Sequence, residues 1–205
     1  MIISHQIKKI YSFRTLFILL VLLNSLPIFI FSPYPSLDGP IHLYNVNLLK
    51  EIIIYNNPNI NEFFSINPQL IPHWSSHILL SLFRLIFSSV VTEKLFLLIL
   101  AFSLPLITYS IIKHISPHNI QISVFSLPFV YTFLFGLGFY NFCFGVVVFL
   151  YTLNYWIKRK NKSSILSIIG LLCLFTISYF AHIFVFILLF SSISLYSILH
   201  LINNL

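Results

Sequence analysis

From Ser164 to Ile202 the chain carries no Asp, Glu, Lys or Arg. A membrane-crossing helix needs ~20 apolar residues. The stretch is therefore long enough for two helices, with a turn expected at Tyr179-Phe180-Ala181-His182. Five further apolar runs precede it: Thr15–Phe31, Leu70–Val91, Leu95–Ile112, Ile120–Phe135 and Phe142–Ile157. Charged residues make up 7% of the chain, against roughly a quarter in soluble domains. The expectation is one all-α transmembrane domain over 1–205, a polytopic integral membrane bundle of six or seven spans. The net charge of +7 does not mark a nucleic-acid partner. Its basic residues gather at the ends of apolar runs, as topology determinants do, and not along a stripe. Cys143 and Cys173 each lie inside an apolar run with no CxxC spacing, and read as small packing residues.

Lys8, Lys9 and Arg14 precede the first run. That run is long for a signal sequence, and Pro27, Phe29, Phe31 and Pro33 stand where a small-residue cleavage site would be. It reads as an uncleaved anchor with a cytoplasmic N-terminus. Seven spans would then place Lys158-Arg159-Lys160-Asn161-Lys162 outside, against the positive-inside rule. Either Leu70–Val91 is re-entrant or lies flat, or the packed bundle overrides the rule. Seven spans is the reading preferred at this point.

The polar segment 32–69 forms an outer loop. Within it Ile41–Tyr55 reads as an amphipathic interfacial helix with an apolar stripe of Ile41, Leu48, Ile52 and Tyr55, broken by Asn56-Asn57-Pro58-Asn59. Just before it lies Asp38, one of four acidic residues with Glu51, Glu62 and Glu93. Asp38, His42 and Asn45 fall at i, i+4 and i+7, on one helical face. Spacing alone favours Asp38 as an N-cap for the Ile41 N–H, with Gly39 and Pro40 in the first turn. A reaction site on the same face is the alternative.

In the second run His77, Ser81, Arg84 and Ser88 recur as one polar stripe, with His73 and Trp74 at its start. An intramembrane Arg costs ~2.5–3.5 kcal/mol on insertion scales, so the stripe should face protein or water. Asp38/His42 and His73/His77 each have i, i+4 spacing, which permits a shared metal ion. The spacing is common and no HExxH is present, so no metal and no cofactor are expected. The other chemistry open to these residues is recognition of an anionic lipid headgroup. His42, His73, His77 and Arg84 would hold the phosphate, and Asp38 would act as general base toward an acceptor hydroxyl.

A first span followed directly by Asp38 and an amphipathic juxtamembrane helix resembles the GT-C class of polytopic glycosyltransferases. D-G-P-I-H-L-Y-N, I-P-H-W-S-S-H, G-F-Y-N-F and Y-F-A-H are similar to phrases of large bacterial membrane proteins of this kind, over about Leu16 to His200. The resemblance implies a polyprenyl-phosphate-linked sugar donor, an outer-face site on a bacterial inner membrane, and Asp38 as catalytic base. Many members of the class carry a second acidic residue, for which Glu51 and Glu62 are unanchored candidates. Members are also longer, so the chain is expected to correspond to an N-terminal half. The competing class is a non-enzymatic transport or assembly subunit. Transporters pair broken helices across two halves, whereas the surroundings of Pro105 and Pro128 do not match each other.

Overall fold

The computed structural model describes residues 2–160 and 164–202. Asn161 and Lys162 of the basic cluster, and Asn203-Asn204-Leu205, lie outside the described residues. The helices are α1 (Ile2–Asn24), α2 (Pro27–Ile30), α3 (Gly39–Ile53), α4 (Pro58–Asn61), α5 (Ser75–Arg84), α6 (Ser89–Ile115), α7 (Phe133–Gly136), α8 (Tyr140–Arg159), α9 (Ile165–Ala181) and α10 (Ile183–Ile202). Among the described residues there is no strand. Three stretches are long and apolar enough to cross a membrane: Phe13–Ile30, Ser89–Ile115 and Tyr140–Arg159. Ile165–Ala181 and Ile183–Leu199 are shorter apolar helices. The expected turn at Tyr179–His182 is present, with His182 extended between α9 and α10.

Besides Thr15–Phe31, which divides at Ser25-Leu26 into α1 and α2, two apolar runs do not form single helices. In Leu70–Val91 only Ser75–Arg84 and the last three residues, which open α6, are helical. Ten residues rise about 15 Å, half of a ~30 Å hydrocarbon core. Ser88 leaves the stripe: it is exposed, and its hydroxyl accepts the Val91 N–H as the N-cap of α6. Serine at that position satisfies an orphan donor, so the chain restarts there. α6 thus begins before Glu93-Lys94, which sit in its first two turns and do not separate two segments.

Ile120–Phe135 is the second such run. It consists of 3-10 turns at Pro117–Ser126 and Pro128–Val130, followed by the single turn α7. Pro117 and Pro128 lack the N–H a continuous helix needs. Ser123 and Ser126 turn their hydroxyls back onto the Ile120 and Ser123 carbonyls at 2.7 and 2.6 Å, competing with the α-helical pattern.

The side-chain contacts define two ends of the bundle. At one, the Tyr140 hydroxyl at the start of α8 donates to Glu93 at the start of α6. At the other, Lys158 and Asn154 of α8 reach Ser110 of α6 at 2.7 and 3.2 Å. α6 and α8 therefore run parallel, and residues 116–139 return along the bundle between them. Ile120 packs in a buried cluster with Phe17, Val21 and Tyr109. Toward the opposite end, Asn24 of α1 donates to the Leu127 carbonyl at 3.1 Å. The larger core gathers Ile28, Val46, Leu80, Phe96, Leu97, Phe135 and Tyr140 beneath the acidic end.

Within α3 the packed face differs from the expected apolar stripe. Gly39 and Val46 are buried, while Ile41 and Tyr55 are exposed. The polar residues supply the reason: His42 and Asn47 find partners on α5 and at the start of α6, and this turns their side of the helix inward.

Candidate functional site

Asp38 occupies the N-cap position of α3, but its side chain makes no cap bond. This corrects the capping expectation. The Asp38 backbone is in the αR region (φ −96°, ψ −10°), whereas a capping residue is typically extended. Instead the Asp38 N–H donates to the Leu137 carbonyl at 2.9 Å, and its carbonyl accepts the His42 N–H. Among the described residues its half-buried carboxyl makes no hydrogen bond or ion pair.

The α7–α8 connection is pressed against this turn. Gly138 has φ +79°, and a Cβ there would lie 2.6 Å from the Gly39 nitrogen, so only glycine fits this left-handed, crowded position. Gly39 is crowded from the other side, where a Cβ would meet the Tyr140 hydroxyl at 2.6 Å and Glu93 Oε1 at 2.9 Å. Glu93 is fully buried. Its Oε1 accepts from the Tyr140 hydroxyl at 2.7 Å and its Oε2 from the Tyr34 N–H at 3.2 Å. The Ser36 hydroxyl lies 3.3 Å from that of Tyr140. Glu93 and Tyr140 thus hold both flanks of the Asp38 turn, a role the sequence reading did not give them.

His42 stacks on Tyr140, with ring centroids 5.0 Å apart and planes at 18°. Its Nδ1 lies 3.3 Å from His77 Nε2, and His77 Nδ1 lies 2.9 Å from the His73 carbonyl. A carbonyl only accepts, so His77 Nδ1 carries the proton. The His42 ring thus faces two acceptors, His77 Nε2 and the Gly138 carbonyl, and in the neutral ring a single N–H serves one of them. Burial foremost, with His77 adding to it and Asp38 opposing, pushes His42 down to about 4. Burial likewise lowers His77. Both rings are then neutral near pH 7.

His73 has φ +75°, a costly conformation for a non-glycine residue. It stands edge-on to His182, centroids 4.8 Å apart. Next to it, the Ser76 hydroxyl donates to Asn141 Oδ1. Ser75 Oγ donates to the Ile177 carbonyl at 3.1 Å, tying α5 to α9.

The structure therefore brings Asp38, His42, His77 and His73 into one contiguous group and adds His182. Arg84 is elsewhere. Seven residues further along α5, or about 10 Å along the axis, its Nε donates to Asn47 Oδ1 at 2.7 Å and its Nη1 to the Phe87 carbonyl at 3.0 Å. Among the described residues no three His, Cys, Asp or Glu side chains are arranged to hold a metal ion.

A cavity of about 340 Å³ adjoins the histidines, lined by His73, His77, Asn45, Trp74, Ile52 and Phe64 among others. Asp38 and His42 do not line it. A second cavity of about 270 Å³ between α3 and α5 shares Leu49, Ile66 and Trp74 with the first. Its walls are almost wholly apolar, apart from Lys50 and Ser81. Ser81 Oγ is buried there with no hydrogen-bond partner among the described residues. A mainly apolar chamber that carries His73, His77, Asn45 and Asn67 on its walls, continued by an apolar trough, can receive an amphipathic molecule.

Compared with known proteins, the chain matches no family model, no curated protein and no solved structure.

Proposed function

We propose that the chain is the catalytic part of a GT-C-like membrane glycosyltransferase that moves a sugar from a lipid-phosphate donor at the outer membrane face. The observation that carries the reading is Asp38: a carboxyl after the first span that makes no hydrogen bond among the described residues and lies beside His42, which in turn meets His77 and His73. In this mechanism the Asp38 carboxylate takes the proton of the acceptor hydroxyl as its oxygen attacks the anomeric carbon. The bond from that carbon to the lipid phosphate breaks, and the phosphate leaves with the electron pair. The apolar trough between α3 and α5 receives the first isoprene units. His42 and His77 are neutral, so they contribute hydrogen bonds and geometry and not fixed charge. His73, exposed at the cavity and with no ring hydrogen bond among the described residues, is the histidine assigned to the leaving phosphate. Arg84 joins it only by exchanging Asn47 for the ligand.

The accompanying topology has six crossings: α1, α6, the 116–139 return, α8, α9 and α10. α5 does not cross, and Lys158–Lys160 lie with the N-terminus on the cytoplasmic side of a bacterial inner membrane, as the positive-inside rule prefers. The transport alternative gains nothing from the prolines. Pro105 sits in an unbroken helix and Pro128 in a broken return, so the two do not form a paired interruption.

The test is Asp38→Asn in the full-length protein, assayed with a polyprenyl-phosphate sugar. Loss of a general base lowers turnover by ~10²–10⁴-fold, with membrane insertion and thermal stability unchanged. Unaltered transfer in this variant would end the assignment of Asp38.

A further inference from the structure

All four acidic residues lie between Asp38 and Glu93, and from Lys94 onward the sequence has no Asp or Glu. The far end of the bundle holds Lys113, Lys158, Arg159 and Lys160, and among the described residues no acidic side chain pairs with them. Two of these cations lie against aromatic rings. The Arg159 guanidinium lies 4.2 Å from the centroid of the Tyr155 ring. Lys160 Nζ lies 4.5 Å from the Tyr196 ring and 5.8 Å from the Trp156 ring, and donates to the Tyr196 hydroxyl. Tyr155 is itself fixed. Its hydroxyl donates to the Ser167 carbonyl at 3.3 Å, and the ring lies so close to Gly170 that a Cβ there would stand 2.9 Å from its Cζ. Between α8 and α9, Tyr155, Trp156, Arg159 and Lys160 line a cleft of about 210 Å³ together with Ser167, Ile168 and Leu171.

We propose that this cleft binds the phosphate headgroup of an anionic glycerophospholipid, with an acyl chain against Ile168 and Leu171. A guanidinium lying over a ring leaves N–H groups at its edge, and those match two phosphate oxygens. Arg159 makes no hydrogen bond among the described residues, so its donors are open. The aromatic platform limits the side-chain entropy that an exposed cation otherwise loses on binding. Charge complementarity selects the ligand, since among the described residues no acidic side chain lies at this end. A basic pocket between membrane helices, at the end where spans terminate, is where anionic lipids lodge. The site is independent of the glycosyl-transfer reading.

The experiment is native mass spectrometry of the full-length protein, delipidated and then titrated with phosphatidylglycerol or phosphatidylcholine. The wild type retains one phosphatidylglycerol in preference to phosphatidylcholine. Arg159→Gln and Lys160→Gln each weaken that preference about fivefold, the worth of one basic residue near an anionic lipid. Tyr155→Leu, which keeps the charge and removes the platform, weakens it as well. Lys113→Gln, exposed at the same end without an aromatic platform, leaves it unchanged. Equal retention of the two lipids would overturn the proposal, as would a Lys113→Gln effect as large as that of Arg159→Gln. Displacement of the lipid by excess inorganic phosphate would reassign the cleft to a free anion and defeat the lipid assignment. Thermal unfolding of each variant, expected at the wild-type temperature, excludes misfolding as the cause of any loss.

Discussion

His42 shows how one side chain ties the local fold to the site. Its ring is sandwiched between Tyr140 and His77, and a charge there is poorly solvated. An unfolded histidine titrates near 6.5, whereas folded His42 is held at about 4. As pH falls, the unfolded chain binds this proton first. The stability contributed by keeping His42 neutral is complete above about pH 6.5, declines as pH falls from there to about 4, and is absent below. Thermal unfolding in detergent between pH 7.5 and 4.5 should therefore fall more steeply for the wild type than for His42→Gln. Parallel curves would mean that His42 is solvated. The pairing of His42 with His77 was legible in the sequence only as two i, i+4 motifs on separate elements. Their meeting depends on how α3 packs on α5, which no spacing reports.

At the scale of elements, the start of α6 decides where α3 sits. Glu93 reads in sequence as a polar break between two apolar runs, because Glu-Lys between hydrophobic stretches usually marks a boundary. Its partners are Tyr34, Ser36's neighbour Tyr140 and the Gly39 turn, which are distant in sequence, and periodicity cannot show them. The same blindness applies to 117–136, where an apolar run looks helical until its prolines and serines are seen to favour short 3-10 turns. By contrast, α8 and the α9–α10 break were readable, because length and continuous apolarity settle them. Glu93→Leu should destabilise the protein by ~1–3 kcal/mol, the cost of leaving buried donors unsatisfied. Glu93→Gln, retaining one acceptor oxygen for Tyr140 or Tyr34, should cost less. Thermal unfolding of the two variants checks the order, and a Leu variant as stable as the Gln variant would remove the bridging role of Glu93.

For the whole molecule, the number of crossings decides which residues share a compartment, and the two topologies left open by the sequence differ at one comparison. If Leu70–Val91 crosses, Asn61 and Lys160 face the same side of the membrane. If α5 stops short, 116–139 supplies the return path and the two positions face opposite sides. The ten-residue length of α5, the parallel arrangement of α6 and α8, and the contact of His73 with His182 all favour the second arrangement. It also accounts for the charge distribution, since every acidic residue then lies at one end and the Lys158–Lys160 cluster at the other. Single cysteines placed at Asn61 and Lys160, in a background with Cys143 and Cys173 replaced by alanine, can be labelled by a membrane-impermeant maleimide in intact cells. Asn61→Cys should be labelled from outside. Lys160→Cys should react only after the membrane is opened. Labelling of both from outside would restore seven spans, place the basic end in the outer leaflet, and remove the positive-inside argument on which the six-crossing topology rests.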